Sequence, residues 1–559
     1  MKKRFLSVVL LLCMLCSSLL TACNSNTADG ATQGSEAESS EVVDNYEATD
    51  ALDAMKHVNT QELNVINDNY RNVYEIFPYS FCDSDGDKIG DIQGIISKLD
   101  YIKELGFNSI WLTPVHPSST YHKYDVDNYY AIDRNFGTLE DYEQLIKECH
   151  DRDMTILMDL VVNHTSTANE WFQKASQYMR SLNPGEEPSV EECPYVDYYV
   201  FQKEYESGFN KVGSTEWYYE GQFWSGMPDL NLDSQAVRNE IDKIVQFWLD
   251  KGVDGFRLDA VTSYYTGNDD KNIEFLTWLN KCVKDKKADA YIVGECWTSS
   301  VYYANYYASG VDSFFNFDFA TNNGTIVSVL NNGTAKGYGN KIVSVTEMIK
   351  AKNPNYIDAG FSSNHDNARV AGTLPGNKGK LKMAQAMAML IGGSYYLYYG
   401  DEIGMKGSGD DENKRAPMQW VEDMFGQGMC RGVTTKVIEH TNGTVASQQE
   451  DPNSLYYYVQ QAMRIRNTFP EIARGETVVI EECSTDEVLV MKKVYKGEEL
   501  LIVMNISENA NTVDLSGVSV NGKDEGKLEV VGTLLDTAEL VKKSGSTLDM
   551  PAYSIEFLK

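Results

Sequence analysis

The sequence predicts an α/β fold, a (β/α)8 barrel of parallel strands with an inserted domain after the third strand and an all-β domain at the C-terminal end. Three observations support it. From about residue 72, short apolar runs alternate with segments of helical period. The alternation lapses between about residues 164 and 233 and then resumes. After about residue 468 only short strand-like runs separated by turns remain.

Each barrel strand is predicted from a short apolar run bounded by polar residues, glycine or proline. The third run is apolar over most of its length, as expected of a strand that is buried on both faces. Helical periods separate the runs; one of them ends at Gly106, a residue that commonly terminates helices. In chain order the predicted strands are Val73–Phe77, Ser109–Leu112, Thr155–Val162, Gly255–Leu258, Tyr291–Val293, a strand near Phe314–Phe317, Phe361–Ser363 and Ser394–Tyr399.

These changes in pattern divide the chain into five predicted parts. The C-terminal part is predicted as a β-sandwich with a structural role, from strand-like runs at Val478–Ile480, Val488–Val494, Leu500–Asn505 and Tyr553–Leu558. The predicted parts are a signal peptide (1–22), a flexible acidic tether (23–66), the barrel (67–163 and 234–468), the inserted domain (164–233) and the C-terminal domain (469–559).

The N-terminus is typical of an exported protein. Basic residues at 2–4 precede an apolar run, Phe5–Leu20, that is too short and wrongly flanked for a transmembrane helix. The run ends in Leu20-Thr21-Ala22-Cys23, which resembles a bacterial lipobox, whose cysteine is diacylated. We therefore expect Cys23 to carry a lipid anchor on the extracytoplasmic face of the cell membrane. A secreted protein without a lipid is the alternative.

Charge and cysteine content exclude several other classes. The formal net charge of −33 opposes binding to phosphate backbones, so nucleic acid is excluded as a partner. Besides Cys13, Cys16 and Cys23, seven cysteines remain, an odd number without paired spacing or a CxxC motif. Neither a disulfide framework nor a cysteine metal site is predicted.

Four predicted strands end on ionisable residues, and barrel active sites lie at the C-terminal ends of the strands. The segments are Asp159-Leu160-Val161-Val162-Asn163-His164, Gly255-Phe256-Arg257-Leu258-Asp259, Val293-Gly294-Glu295 and Ser363-Asn364-His365-Asp366. Two carboxylates flanking a glycosidic oxygen cleave sugars, and a third acid can stabilise the cationic transition state. Taken singly, a structural ion pair, a solvated carboxylate or a turn residue would explain each segment.

Together the four segments resemble the α-amylase superfamily, glycoside hydrolase family 13. The resemblance implies that Asp259 is the nucleophile, Glu295 the general acid and base, and Asp366 the stabiliser of the transition state. It also implies that Tyr124, His164 and His365 bind the reacting sugar. Arg257 precedes Asp259 by two residues on one strand, so both side chains point the same way and the cation favours an ionised nucleophile.

Further motifs place the chain beside two groups of that family. Met227-Pro228-Asp229-Leu230-Asn231 resembles a segment of domain B in a group intermediate between oligo-1,6-glucosidases and neopullulanases. Ala260 follows the nucleophile, where the family pattern links small residues with α-1,4 bonds. The resemblance thus implies a retaining hydrolase of malto-oligosaccharides or starch. A 4-α-glucanotransferase and an α-1,6-glucosidase are the enzymatic alternatives, a non-catalytic sugar-binding lipoprotein is a third, and the oligomeric state stays open.

One acidic loop predicts a calcium site. Asp83-Ser84-Asp85-Gly86-Asp87-Lys88-Ile89-Gly90-Asp91 offers alternating oxygen ligands on a tight loop, as a hard cation prefers. Lys88 at the sixth position and Gly94 at the twelfth exclude an EF-hand. The loop resembles the calcium loop of oligo-1,6-glucosidases, which implies Asp83, Asp85, Asp87, the Ile89 carbonyl and Asp91 as ligands. A merely acidic turn is the alternative.

Overall fold

A computed structural model describes residues 48, 50–56, 70–433 and 442–559. The predicted signal peptide, Cys23 and most of the tether lie outside these residues. Eight parallel strands form the barrel, and their bounds are close to the predicted ones. They are β1 (Asn72–Ile76), β2 (Ser109–Leu112), β3 (Thr155–Leu160), β4 (Gly255–Leu258), β5 (Tyr291–Gly294), β6 (Ser313–Phe314), β7 (Ala359–Phe361) and β8 (Ser394–Tyr398).

The strands follow one another around a closed ring, so the predicted barrel is confirmed. The sheet runs in the order β7-β8-β1-β2-β3-β4-β5-β6, and a parallel bridge from Phe315 to Ala359 joins its two edges. β7 was predicted two residues too late. Ser362 and Ser363 leave the ladder because their hydroxyl groups donate to the buried carboxylate of Asp401.

Helices surround the barrel, and none of the described ones has the length and apolar character needed to cross a membrane. The helical pattern before Gly106 forms two short helices rather than one, and Asp91 caps the first by accepting from the Gly94 amide at 2.7 Å. The α-helices outside the inserted domain are Ala51–Lys56, Pro78–Phe81, Ile92–Ile96, Leu99–Glu104, Leu139–His150, Gln235–Lys251, Asp269–Lys286, Ser300–Tyr306, Thr325–Asn332, Ala335–Lys350, Val370–Thr373, Lys378–Leu390, Asp411–Lys414, Val445–Glu450, Leu455–Thr468 and Pro470–Arg474.

The inserted domain contains one α-helix, Glu170–Ser181, which the sequence analysis missed, and a short 3-10 helix, Pro194–Tyr198. Its buried residues Phe172, Ala175 and Met179 recur at spacings of three and four, so the signal was present but short. A small antiparallel sheet follows, with strands Phe201–Gln202, Phe209–Lys211 and Tyr218–Glu220. A bridge between His164 and Asp229 joins the two ends of the insertion and places the Met227–Asn231 motif beside the barrel mouth.

The C-terminal part is all-β, as predicted. A three-stranded and a five-stranded sheet share a core that includes Val490, Val503, Leu515 and Leu548. The strands of the smaller sheet were not predicted, because runs of four residues or fewer with exposed alternate positions carry little pattern. The strands are Glu476–Val479, Val488–Tyr495, Glu498–Asn505, Val530–Leu534 and Ser554–Leu558 in the larger sheet, Asn511–Asp514, Lys542–Ser544 and Thr547–Met550 in the smaller one, and the pair Ser519–Val520 and Lys523–Asp524.

Candidate active site

A cavity of about 510 Å³ opens at the C-terminal ends of the barrel strands. The three predicted catalytic carboxylates, Asp259, Glu295 and Asp366, all line it, together with Tyr124 and His164. Arg257 and His365, the other two predicted residues, are fully buried beneath them. The structure therefore brings all seven residues together, although they come from five separate strand ends.

The guanidinium group of Arg257 links the carboxylates at the centre of the site. Its Nη1 lies 2.7 Å from Asp259 Oδ1 and 2.9 Å from Asp159 Oδ1, and its Nη2 lies 3.1 Å from Glu295 Oε2. The contact with Asp159 follows from the fold, because Asp159 on β3 pairs with Arg257 on β4. One buried cation thus fixes the two carboxylates that would flank a glycosidic bond.

Glu295 lies in surroundings that favour its protonated form. Burial raises the pKa of Glu295 above its usual range, and the neighbouring Asp259 and Asp366 add to this effect while Arg257 opposes it. Its Oε2 accepts from the Ala260 amide at 3.0 Å. Ala260 itself has φ +46°, so the backbone turns sharply just after Asp259. A carboxyl group with a raised pKa is suited to donate a proton near neutral pH.

Asp366, by contrast, is held ionised. Burial acts in the other direction, but His365 and Arg415 lower the pKa of Asp366 well below its usual range. Its Oδ2 lies 2.9 Å from His365 Nε2, and its Oδ1 accepts from Arg415 Nη2 at 2.7 Å. The other face of His365 meets Glu75 on β1, whose Oε1 is 2.6 Å from Nδ1. Asp366 is therefore an ionised carboxylate that His365 contacts on one side and Arg415 on the other.

Tyr124 and His164 present polar atoms near the same cavity. Tyr124 Oη lies 2.6 Å from His365 Nε2 and donates to Asp159 at 3.1 Å. Burial lowers the pKa of His164, so its imidazole is neutral. Asn163 Nδ2 lies 3.2 Å from His164 Nδ1, while the buried Nε2 has no hydrogen-bond partner within the described part of the chain. A ligand oxygen at the cavity would satisfy this nitrogen.

The walls of the cavity differ in chemistry. Asp411 and Arg415 are charged and lie on the side of Asp366. Three half-exposed aromatic residues, Phe223, Trp224 and Trp297, also line it. Trp297, two residues after Glu295, stacks on Phe317 with ring centroids 4.8 Å apart and planes 11° apart, so only one of its faces is covered. Such a ring face can stack on the C–H face of a sugar.

The acidic loop brings together three of the four carboxylates predicted as ligands. Single carboxylate oxygens of Asp83, Asp85 and Asp91 all lie within 4.8 Å of one another. Asp87 is outside this group, and its carboxylate accepts from the Ile89 amide at 2.7 Å. Asp91 also accepts from Ser84 and caps the following helix, so the loop is tied down on both sides. The donor set, three carboxylates on a tight loop, fits a hard divalent cation.

Sequence reasoning missed four residues of the site, namely Glu75, Asp159, Arg415 and Trp297. Asp159 and Glu75 interrupt buried apolar strands, a signal that was available. Arg415 and Trp297 lie on loops whose path only the structure supplies, even though Arg415 belongs to a motif, Arg415-Ala416-Pro417-Met418-Gln419-Trp420, that is typical of the same family neighbourhood.

Comparisons with known proteins agree with this geometry. The family model described as "Alpha amylase, catalytic domain" matches residues 75–475. "Alpha-amylase 3" of Dictyoglomus thermophilum is 36% identical over 458 residues, covering 80% of this chain and 87% of that protein. An "Oligo-1,6-glucosidase" of Heyndrickxia coagulans is 28% identical over 529 residues, covering 79% and 92%. Among solved structures, "Eubacterium rectale Amy13B" is 48% identical with a TM-score of 0.87, covering 92% of this chain and 99% of that one.

We predict that Arg415→Lys lowers kcat/KM for an α-glucoside by about 10- to 100-fold, the usual cost of losing a residue that orients a reactive group. Arg415 also donates to Tyr121 Oη at 2.8 Å and to the His365 carbonyl at 3.1 Å, and a lysine cannot keep three directed contacts. Steady-state kinetics would measure the loss. Arg152→Lys is the control, because Arg152 binds Asp100 and Glu148 on two helices and none of these residues lines the cavity. Equal rates in both variants would contradict the prediction.

Proposed function

Because the chain belongs to the α-amylase family of glycoside hydrolases, we propose that it cleaves α-1,4-glucosidic bonds of starch-derived malto-oligosaccharides with retention of configuration. The observation that carries the proposal is the bridge from Arg257 to both Asp259 and Glu295 at the floor of an open cavity. A nucleophile and a proton donor held by one guanidinium group fit the short carboxylate separation that retaining glycosidases need.

In the proposed first step, Glu295 gives its proton to the glycosidic oxygen while Asp259 Oδ attacks the anomeric carbon. The leaving sugar departs with a free hydroxyl group, and the donor sugar becomes a glycosyl ester of Asp259. In the second step Glu295, now a carboxylate, takes a proton from water, and the water oxygen replaces Asp259 on the anomeric carbon. Asp366 stabilises the positive charge that develops on the ring in both steps.

The bound sugar has enough polar partners for this assignment. The unpaired Nε2 of His164, the carboxylate of Asp366 and the ring of Tyr124 all border the cavity next to Asp259. A buried donor without a partner costs stability, and a sugar hydroxyl would remove that cost on binding. The small side chain of Ala260 and the similarity to an α-amylase favour α-1,4 bonds, while the related oligo-1,6-glucosidase keeps an α-1,6-glucosidase as the alternative.

A second candidate, a 4-α-glucanotransferase, is favoured by the aromatic wall. Phe223, Trp224 and Trp297 each expose about half of their surface to the cavity mouth, at 48%, 50% and 50%. Trp297 follows Glu295, so this wall would lie where the leaving sugar departs. A stacked acceptor sugar there would compete with water for the glycosyl ester.

A non-catalytic binding protein is disfavoured, because Asp259, Glu295 and Asp366 are all retained.

We also propose that the acidic loop binds calcium in a structural role. Asp83, Asp85 and Asp91 would provide carboxylate ligands, and the bound ion would neutralise their mutual repulsion. The loop follows β1 and contacts the chain near Gly428, whose carbonyl accepts from the Asp83 amide at 3.2 Å. Calcium would therefore brace the connection between the first strand and a loop more than 300 residues later, far from any bond that is broken.

We propose in addition that a lipid on Cys23 holds the enzyme at the outer face of the cell membrane. The basic start, the apolar run and the Leu20–Cys23 motif support this assignment. Two acyl chains on one cysteine would give lasting attachment, and the acidic segment that follows would hold the barrel away from the membrane. Such a location suits an enzyme whose substrate is too large to enter the cell before it is cut.

The primary prediction concerns maltoheptaose. Incubation with the enzyme should give shorter α-1,4 oligomers whose new reducing ends start as the α-anomer, as followed by chromatography and by proton NMR. Longer oligomers appearing alongside them, and decreasing selectively in Trp297→Ala, would move the assignment to transferase. Asp259→Asn is the control, and hydrolysis that persists in this variant would show that Asp259 is not the nucleophile. Activity of the wild-type enzyme on isomaltose alone would establish the α-1,6 alternative.

Calcium removal should lower the melting temperature, and calcium at about 100 times its Kd should restore about 2.7 kcal/mol of stability. Asp85→Asn should abolish this response, as measured by calorimetry with and without a chelator. Because Asp85 is exposed, its replacement should cost little in the metal-free protein. Asp87→Asn is the matched control and should retain more of the response. A melting temperature that is the same with and without calcium would contradict the proposed site.

Replacement of Cys23 by serine should release the enzyme from the membrane fraction into the medium. The reason is that acylation needs the thiol, whereas the export signal stays intact. Fractionation of cells with an activity assay measures the distribution, and metabolic labelling with a radioactive fatty acid measures the acylation. Cys483→Ser, which changes the half-buried cysteine of the C-terminal domain, is the control. A Cys23→Ser protein that stays on the membrane would refute the anchor.

A further inference from the structure

The imidazole of His365 lies between two carboxylates. Its Nδ1 is 2.6 Å from Glu75 Oε1, and its Nε2 is 2.9 Å from Asp366 Oδ2. Both His365 and Glu75 are almost fully buried, with at most 1% of their surface exposed. Neither Glu75 nor His365 lines the cavity, whereas Asp366 does, so Glu75 lies behind the lining of the site. The contact joins residues 290 positions apart in the chain.

This arrangement constrains where protons lie. A neutral imidazole has one N–H donor and one acceptor nitrogen, so it can donate to only one of two carboxylates. The acceptor nitrogen would then face the lone pairs of the other carboxylate at hydrogen-bond distance, which is repulsive. With a proton on both nitrogens, Nδ1–H donates to Glu75 and Nε2–H donates to Tyr124 Oη, 2.6 Å away, whose own proton goes to Asp159. The cation is then compensated by Glu75 on one side and by Asp366, at 2.9 Å, on the other.

We propose that Glu75 is a positioning residue for catalysis, which holds His365 as a doubly protonated imidazolium whose positive charge pairs with the carboxylate of Asp366. The role of Asp366 in stabilising the transition state rests on the proposed function. Glu75 acts through His365 and touches neither the substrate nor the carboxylates that react. Its charge also cancels that of the imidazolium, which would otherwise oppose the positive charge that develops on the sugar ring.

Groups from several elements surround this pair. Burial lowers the pKa of His365, but Asp366 and Glu75 raise it to about 10. Burial also raises the pKa of Glu75, and His365 and Arg257 oppose that shift. The charged and titratable groups that face His365 are Glu75 on β1, Tyr124 after β2, Asp159 on β3, Arg257 on β4, Asp366 after β7, Tyr398 on β8, and Arg415, which binds the His365 carbonyl.

The first test is an NMR titration of the whole protein with ¹⁵N-labelled histidine. Only seven histidines occur, and His365→Gln assigns the signal. We expect both ring nitrogens of His365 to stay protonated from pH 6 to pH 9, and Glu75→Gln to lower its pKa by roughly 1 to 3 units, as loss of an adjacent charge does. A bare Nδ1 at neutral pH would put the proton on Glu75 and overturn the proposal.

The second test is kinetic. In Glu75→Gln, kcat/KM should fall by about 10- to 100-fold at pH 8 and by less at pH 6. The sign follows from the lowered pKa: the imidazolium persists at low pH and is lost as pH rises, which removes the positive charge beside Asp366. A merely structural glutamate would give a loss that does not vary with pH.

Glu402→Gln is the matched control. Glu402 is also fully buried and accepts from Tyr74, the neighbour of Glu75, at 2.6 Å and from Tyr101 at 2.7 Å, but it does not contact the site. This variant should leave both the His365 signal and the pH profile unchanged, and the same changes in both variants would refute a specific role. If Glu75→Gln does not fold, the wild-type titration alone decides. The titration needs no turnover, so it separates failure of this proposal from failure of the proposed function.

Discussion

The ion pairs of one buried arginine organise the centre of this protein. An isolated charge in a protein interior is strongly unfavourable, so Arg257 requires its carboxylate partners, and they in turn require it. Asp159, Asp259 and Glu295 all lie against this guanidinium group, and burial raises the pKa of Asp159 to about 7. The second cluster, in which Glu75, His365, Asp366 and Arg415 alternate in sign, is neutral.

The barrel determines how these charges meet. Neighbouring strands place Asp159 beside Arg257, and Tyr124 connects the two clusters by contacting both His365 and Asp159. In such a connected network the effect of one substitution spreads to the others, so the effects of paired replacements need not add. The rim of the cavity, formed by Phe223, Trp224 and Trp297, does not come from barrel strands. Its aromatic residues come from the inserted domain and from the loop after β5, which can vary without disturbing the floor.

Much of the fold and of the candidate site could be predicted from the sequence. Strands buried on both faces produce long apolar runs, which located the barrel and placed Asp259, Glu295 and Asp366 at strand ends. Short strands with exposed positions, such as Asn511–Asp514, carry no such pattern and were missed. The partners Glu75 and Arg415 were missed because their significance lies in contacts across hundreds of residues. Asp87, assigned by resemblance, lies outside the carboxylate group, a difference of loop geometry that sequence spacing does not record.

The closure of the barrel has a consequence for how the protein forms. β1 pairs with β8, so Glu75 meets Tyr398 only when more than 300 further residues have been made. Contacts of such long range fold slowly, and until they form the first strand has an open edge. If the chain is exported as its N-terminus predicts, β1 crosses the membrane before the other strands, and its open edge stays unpaired until β8 follows. Catalytic competence is then among the last properties that the chain acquires, because the site is complete only when the first and last strands of the barrel have paired.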